Sequence, residues 1–431
     1  RLITLRSAVQ IRPPQPIYMS LINIFNKKNF KLDNFILFFF LTFPIALILG
    51  NLIINFYIIT IGTLYLFTIR ENLLKNNIFI LLLFFFVSLL INLIFTQNFG
   101  LSYQRVLKFL FIIFFVLSFQ YLINLNKSYD KIIYKSWLFI LLIVSIDLLI
   151  EFYFGQNTLG MKSYMPGRLA GFFDDELVIG YFYLGFVCFS FSFIYKKYTS
   201  NKLLIFCLYF LIIFISLIIG ERSNLIKLFI GISIMMFLIF EVNLVKKTIV
   251  SLLIIIISVS FVLNNQNYKI RYYDQLKLIF QPSGLDQYLK SSEYGAHYNT
   301  AYKMFLDNKL FGVGIKNYRV ETFKEEYRSD EYKHSRTSVK THPHQIHFEF
   351  LAETGLFGYC SFLIFILWSL FLSIKNYFKY RNIYQLAAII FILTSLIPYL
   401  PSGSFFSSFN SSIFWMNYAI MMGYVNYKSK F

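Results

Sequence analysis

Three of the chain's five histidines fall within six residues, in the run Thr341-His342-Pro343-His344-Gln345-Ile346-His347-Phe348-Glu349. Imidazole exchanges a proton near neutral pH, so such a run can supply a general base or a hydrogen-bonding group. His342, His344 and His347 could instead ligate zinc. Pro343 interrupts any helix between the first two, and no i,i+4 histidine pair or cysteine completes a metal spacing, which favours the proton-transfer reading. A second grouping, Gly220-Glu221-Arg222-Ser223, places a guanidinium at the start of an apolar segment. Guanidinium is always charged and matches phosphate oxygens in a two-pronged way, and a helix N-terminus adds attraction for an anion; the alternative is a loop arginine paired with Glu221. A third, Arg168-Leu-Ala-Gly-Phe-Phe-Asp174-Asp175-Glu176, sets three adjacent carboxylates near Arg168, their nearest candidate partner. A fourth, Asp147 and Glu151, shares one helical face at i,i+4 spacing. It points to a polar interior, a bound cation or structural hydrogen bonds.

The elements that must position these residues are hydrophobic. Of the 431 residues 57% are hydrophobic, 21% aromatic and only 14% charged, with a net charge of +19. Soluble domains carry about 25% charged residues, which argues against a soluble enzyme. The basic excess therefore bears on orientation in a membrane rather than on nucleic acid. Cys188, Cys207 and Cys360 all lie in apolar stretches and form neither a disulfide framework nor a zinc spacing.

A membrane-crossing helix needs about 20 mostly apolar residues. Twelve such segments are expected, at 34–51, 52–69, 78–95, 106–124, 136–154, 177–195, 203–219, 224–241, 247–263, 346–374, 384–400 and 404–425. The fold class is an all-α polytopic membrane protein, with one large outer loop between the ninth and tenth spans. The expected divisions are 1–33, 34–263, 264–345, 346–425 and 426–431. Residues 1–18, which precede the first methionine, read as a tail or an upstream over-read and are left out of the fold. Lys and Arg cluster at alternate connections: Lys27, Lys28 and Lys31; Arg70 and Lys75; Lys127, Lys131 and Lys135; Lys196, Lys197 and Lys202; Lys246 and Lys247; Lys375, Lys379 and Arg381; Lys428 and Lys430. Short connections rich in Lys and Arg stay in the cytoplasm, so both termini are expected there. The histidine run, Arg222 and Arg168 then share the far side with the 264–345 loop. Within that loop Tyr298, Ala301, Tyr302 and Phe305 recur at helical spacing, and the helix should end near Gly312 and Gly314. From residue types alone, an outward site rich in arginine and histidine suits a polar or phosphorylated substrate in the membrane. It does not separate an enzyme from a transporter.

The stretches Asn308–Tyr318 (NKLFGVGIKNY) and 342–358 (HPHQIHFEFLAETGLFG) resemble the signature of the O-antigen ligase and polymerase superfamily. The segments 167–184, 220–224 and 398–423 are similar to further family segments in the same order. Two positions depart from the family pattern. Gln345 stands where Asn is frequent, and His297 where an arginine commonly opens the loop helix, with Arg271 or Arg319 as alternatives. The resemblance implies a metal-independent glycosyltransferase without a cofactor. Its expected donor is a glycan on undecaprenyl pyrophosphate, and its acceptor lipid A–core or a lipid-linked repeat unit, at the periplasmic face of the bacterial inner membrane. Membrane lipid is the surrounding partner, and nucleic acid is not expected. His344 is then the expected base, with His342 behind it, and Arg222, Arg168 and His297 are the expected pyrophosphate ligands. Gln345, Glu353, Gly312, Gly314, Asp175 and Glu176 are the supporting residues. The ligase is the leading expectation and the polymerase second. A lipid-linked sugar transporter is the rival from another class, and it should carry polar residues through the middle of several spans.

Overall fold

The computed structural model describes residues 32–69, 72–335 and 341–425. Most of the expected tail 1–33, all of 426–431, Arg70 and the lysines Lys27, Lys28, Lys31, Lys428 and Lys430 lie outside the described residues. Among the described residues the regular structure is entirely helical. The order is α1 (Leu32–Leu41), α2 (Phe43–Ile48), α3 (Asn51–Thr68), α4 (Asn77–Ile94), α5 (Phe99–Leu125), α6 (Tyr129–Phe154), α7 (Ile179–Lys197), α8 (Lys202–Ile219), α9 (Arg222–Ile239) and α10 (Leu244–Asn264). A long connection follows with α11 (Gln266–Lys269), α12 (Gly284–Ser291), α13 (Glu293–Asp307) and α14 (Tyr318–Glu321). The chain closes with α15 (Ile346–Tyr380), α16 (Ile383–Ser395) and α17 (Ser408–Gly423).

Nine helices among the described residues, α3 to α10 and α15, are long and apolar enough to cross a membrane. The chain is an integral membrane protein. Twelve spans were expected; the remaining three expected segments form shorter helices. The first expected span is split into α1 and α2 at Thr42, because Pro44 in the first turn of α2 has no N–H to continue the ladder. The last two are shorter than their apolar runs. α16 stops at Ser395, and α17 begins only after the Ser407 hydroxyl accepts from Asn410 N at 3.2 Å. The turn between them is therefore 396–407, wider than the expected 401–404. In the other direction, α5 begins at Phe99 rather than 106, which places Arg105 inside the same helix as Lys108.

Packing sorts the helices into core and rim. α17 touches α3, α5, α7, α15 and α16, and nearly every residue in it is buried. The apolar stretch of α7 is 83% buried, against 11% in α10. α10 thus presents Leu, Ile and Val on most sides, as a lipid-facing helix does. Buried polar groups in the core find backbone partners, as Asn417 does on Gly185 O (3.3 Å) and Ile413 O (2.9 Å).

Candidate functional site

The turn from α8 into α9 builds the first wall of the site. Gly220 closes α8 at φ +79°, and a Cβ there would collide with the Gly167 carbonyl oxygen. Only glycine lets the two turns approach so closely. The approach brings Arg168 beside the start of α9, where Arg222 is the first helical residue. Arg168 donates to Glu221 at 3.1 Å and to Leu177 O at 2.7 Å. Glu221 also accepts from Gly180 N at 3.0 Å and from the Asn224 amide. Arg168 thus pairs with Glu221, whereas Asp174 and Glu176 were among its nearest candidates, and the alternative pairing of Arg222 with Glu221 is not among the ion pairs of the described residues. Asp174 and Glu176 turn instead toward a separate cavity, and the side chain of Asp175 lies outside what the structure describes. Asp147 and Glu151 hold the 155–171 connection, Asp147 through Thr158 N (2.9 Å) and Glu151 through Ala170 N and Gly171 N (2.8 Å each).

Arg271 completes this wall from the long connection. Its Nε donates to Gly220 O, and its carbonyl accepts from Arg222 Nη1 at 3.4 Å. Burial and the charges of Arg168 and Arg222 lower its pKa to about 10, so the Arg271 guanidinium stays charged near neutral pH. They line one cavity of about 370 Å³ together with Tyr288, Tyr294, Tyr298, Tyr399 and an apolar set that includes Leu276, Ile279, Phe280, Leu285, Leu289 and Leu400. Glu221 is the one carboxylate on that lining, leaving a positive excess beside an apolar trough.

Tyr294 joins the cavity to the histidines. Burial raises the pKa of its phenol, and the charges of Arg222 and Arg168 act against that rise. Its ring lies 5.8 Å from that of His344, which is 5.7 Å from His297 and 4.0 Å from His342. Three of the sequence-predicted residues, 47 positions apart along the chain at the extremes, thus meet in one cluster. His344 has φ +58°, and its carbonyl accepts from Ser402 N at 2.7 Å, which fixes it against the 396–407 turn. His342 is pushed down to about 2, first by burial and then by His344, Lys316, His297 and Arg319. It is therefore neutral at working pH. Gln345 caps α15 by accepting from His347 N (2.7 Å) and Phe348 N (3.1 Å). His347 is held by Leu396 O (2.8 Å) and Tyr359 (3.0 Å) and stands apart from the cluster.

The glycine motifs form one unit. α15 breaks at Gly355 (φ +62°), which frees backbone groups on both sides. The 308–314 turn binds them: Val313 N donates to Ala352 O and Gly314 N to Glu353 O (2.9 Å each), while Leu356 N and Phe357 N donate to Lys309 O (2.8 Å) and Leu310 O (3.0 Å). A Cβ on Gly312 would lie 2.5 Å from the Glu353 carbonyl carbon, and one on Gly355 equally close to Leu310. The same turn delivers Lys316. Its N–H donates to Glu353 (2.8 Å) and its Nζ to Ser404 (2.6 Å), whose hydroxyl donates to Glu349. Burial lowers the pKa of Lys316, and Glu349 and Glu353 act against that.

Lys316, Tyr294, Glu349 and the pair Arg105 and Lys108 are missing from the sequence-predicted set, and Arg271 entered it only as a substitute. One signal was present for Lys108: a lysine inside an apolar run of spanning length is itself a functional pointer. Among the described residues no group of three or more His, Cys, Asp and Glu is arranged to hold a metal ion.

No curated protein matches the chain. Residues 207–363, which run from α8 through the arginine wall, the long connection and the break in α15, match the family model described as O-antigen ligase. The turn and helix-break signature lies inside that match, so this part of the chain is similar to the O-antigen ligase family.

Proposed function

We propose that the protein is an O-antigen ligase, transferring a glycan from undecaprenyl pyrophosphate to lipid A–core at the periplasmic face of the inner membrane. The observation that carries this reading is the cavity whose three arginines, Arg168, Arg222 and Arg271, face an apolar trough beside the His344 cluster. A pyrophosphate linked to a polyprenyl chain needs that combination of fixed positive charge and greasy surface. The acceptor hydroxyl oxygen attacks the anomeric carbon, the carbon–oxygen bond to pyrophosphate breaks, and the hydroxyl proton passes to His344. The guanidinium groups stabilise the charge that grows on the leaving pyrophosphate. In this reading His297, whose ring is 5.7 Å from that of His344, adds a hydrogen-bonding group to the site. His342, neutral and packed on His344, orients that ring rather than acting as base. The ionisable groups of this site gather at one end of the bundle, which supports an enzyme over a carrier.

The test is a glycan-stained lipopolysaccharide gel from a strain lacking the gene, complemented with the parent or with His344→Ala. The expected result is loss of every O-chain band with polymer retained on its lipid carrier. His344→Ala should fail to restore the ladder at undiminished membrane abundance. Core bearing a single repeat would move the assignment to the polymerase, which shares the donor. An unchanged ladder would sink both.

A further inference from the structure

A second set of cations, which reaches the histidines through Arg319 near His342, takes no part in lining the donor cavity. It gathers at the head of α17. Arg105 Nη1 donates to Ser408 Oγ at 3.2 Å. Lys108 Nζ reaches Asn55 Oδ1 at 2.5 Å and Ser408 Oγ at 3.4 Å. Arg319 lies within electrostatic reach of Arg105, Lys316 and His342, and its Nε is buried without a hydrogen-bond partner. Lys316 is matched by Glu349 and Glu353, but Arg105, Lys108 and Arg319 form no ion pair among the described residues.

Two of these cations are on α5, within a helix of membrane-spanning length, where an unneutralised charge is costly and marks function. The N-terminus of α17 adds its own positive end at the same place. A cavity of about 370 Å³ opens beside them. Asn51, one turn from Asn55 on α3, and Phe409, next to Ser408, both line it, with Phe172, Phe173 and Glu176. Aromatic faces and carboxylates suit sugar rings and hydroxyls.

We infer that Arg105, Lys108 and Arg319 form a second anion subsite, which holds a phosphate group of the acceptor while its sugar occupies the adjoining cavity. The inference rests on the transferase reading above. It explains why the histidines adjoin two cationic clusters, one for donor pyrophosphate and one for acceptor phosphate. The phosphate has two chemical sources, a phosphorylated core sugar or the pyrophosphate of a second lipid-linked glycan.

The experiment uses the purified full chain in detergent with a lipid-pyrophosphate-linked glycan as donor. Three acceptors are compared: phosphorylated lipid A–core, the same core after dephosphorylation, and a lipid-pyrophosphate-linked repeat unit. The double variant Arg105→Gln/Lys108→Gln should raise the KM for the phosphate-bearing acceptor by about tenfold, as expected for a lost charge-assisted contact. The donor KM should stay unchanged, which also reports a folded donor site. Arg105→Lys, which retains charge but loses the fork, should fall between parent and double variant. The dephosphorylated core should bind parent and double variant alike. A KM effect on lipid A–core assigns the phosphate to the core, and one on the repeat unit assigns it to a lipid carrier. Equal acceptor KM in parent and variant, or a matching rise in donor KM, would overturn the subsite. Equilibrium binding of each acceptor without donor separates the two readings. Binding lost in the variant, with no transfer by the parent to any acceptor, would keep the subsite and defeat the transferase.

Discussion

His342 shows how a residue's neighbours set its chemistry. Burial is the first cause disfavouring its protonated form, and His344 beside it, Lys316, His297 and Arg319 add repulsion. The pKa falls from 6.5 to about 2. A group depressed in this way takes its proton in the unfolded chain first, so unfolding gains protons as pH drops below about 6.5. The stability His342 contributes is present above that pH and is lost progressively below it. His342→Gln removes this term. Its thermal unfolding midpoint in detergent should fall less between about pH 7 and pH 5 than the parent's. An identical drop in both would mean that His342 is not held neutral. Glu221 illustrates the same dependence for carboxylates. It accepts from Arg168, Gly180 and Asn224 at once, and so anchors the arginine wall rather than neutralising Arg222.

At the scale of elements, the site depends on one broken helix and one turn. α15 breaks at Gly355, and the 308–314 turn supplies the hydrogen bonds that the break would otherwise leave open. That exchange places Lys316 beside Glu353 and holds the start of α15, and with it the histidine run, in position. Gly312→Ala forces a Cβ into the Glu353 backbone at a positive φ. It should cost at least about 1 kcal/mol of stability and reduce transfer as well. Gly50→Ala is the comparison. Gly50 also has a positive φ, but open space surrounds its missing Cβ. Thermal midpoints and membrane abundance of the two variants check this, with the larger loss expected for Gly312→Ala. Equal losses would show that backbone strain alone, and not the close approach, matters.

At the scale of the whole molecule, the bundle has two unlike ends. One carries Lys196, Lys202, Lys247, Lys379 and Arg381 at helix termini, tied together by contacts such as Lys196 over the Tyr384 ring (5.6 Å) and Tyr424 on Asp130 (3.0 Å). The other carries both cavities and the histidine cluster. On the positive-inside rule we propose that the first end faces the cytoplasm. In a chain with Cys188, Cys207 and Cys360 replaced by serine or alanine, a cysteine at exposed Ser291 should react with a membrane-impermeant thiol reagent added to the periplasmic face. One at exposed Ser200 should react only after the inner membrane is permeabilised. The reverse pattern would invert the topology and move the site to the cytoplasm.

Hydropathy and segment length are local quantities, so the chain by itself determined the all-helical membrane class and the order of its apolar segments. It also marked the histidine run, the Gly220–Ser223 turn and the paired glycine motifs, because those residue types are out of place in such a chain. Helix ends were harder to read. An apolar run continues past a proline or a serine cap, whereas a hydrogen-bond ladder does not, so α1, α2, α16 and α17 came out shorter than their runs. Partners were not legible at all. Arg168 chose Glu221, 53 positions away, over Asp174 and Glu176 within eight, because the glycine contact at Gly167 and Gly220 sets which turns touch. The joining of Arg271 to Arg168 and Arg222, the meeting of His297 with His344, and the clustering of Arg105, Lys108 and Arg319 were likewise decided by the tertiary structure. Each depends on how helices distant in the chain pack, and spacing along a chain carries no record of that.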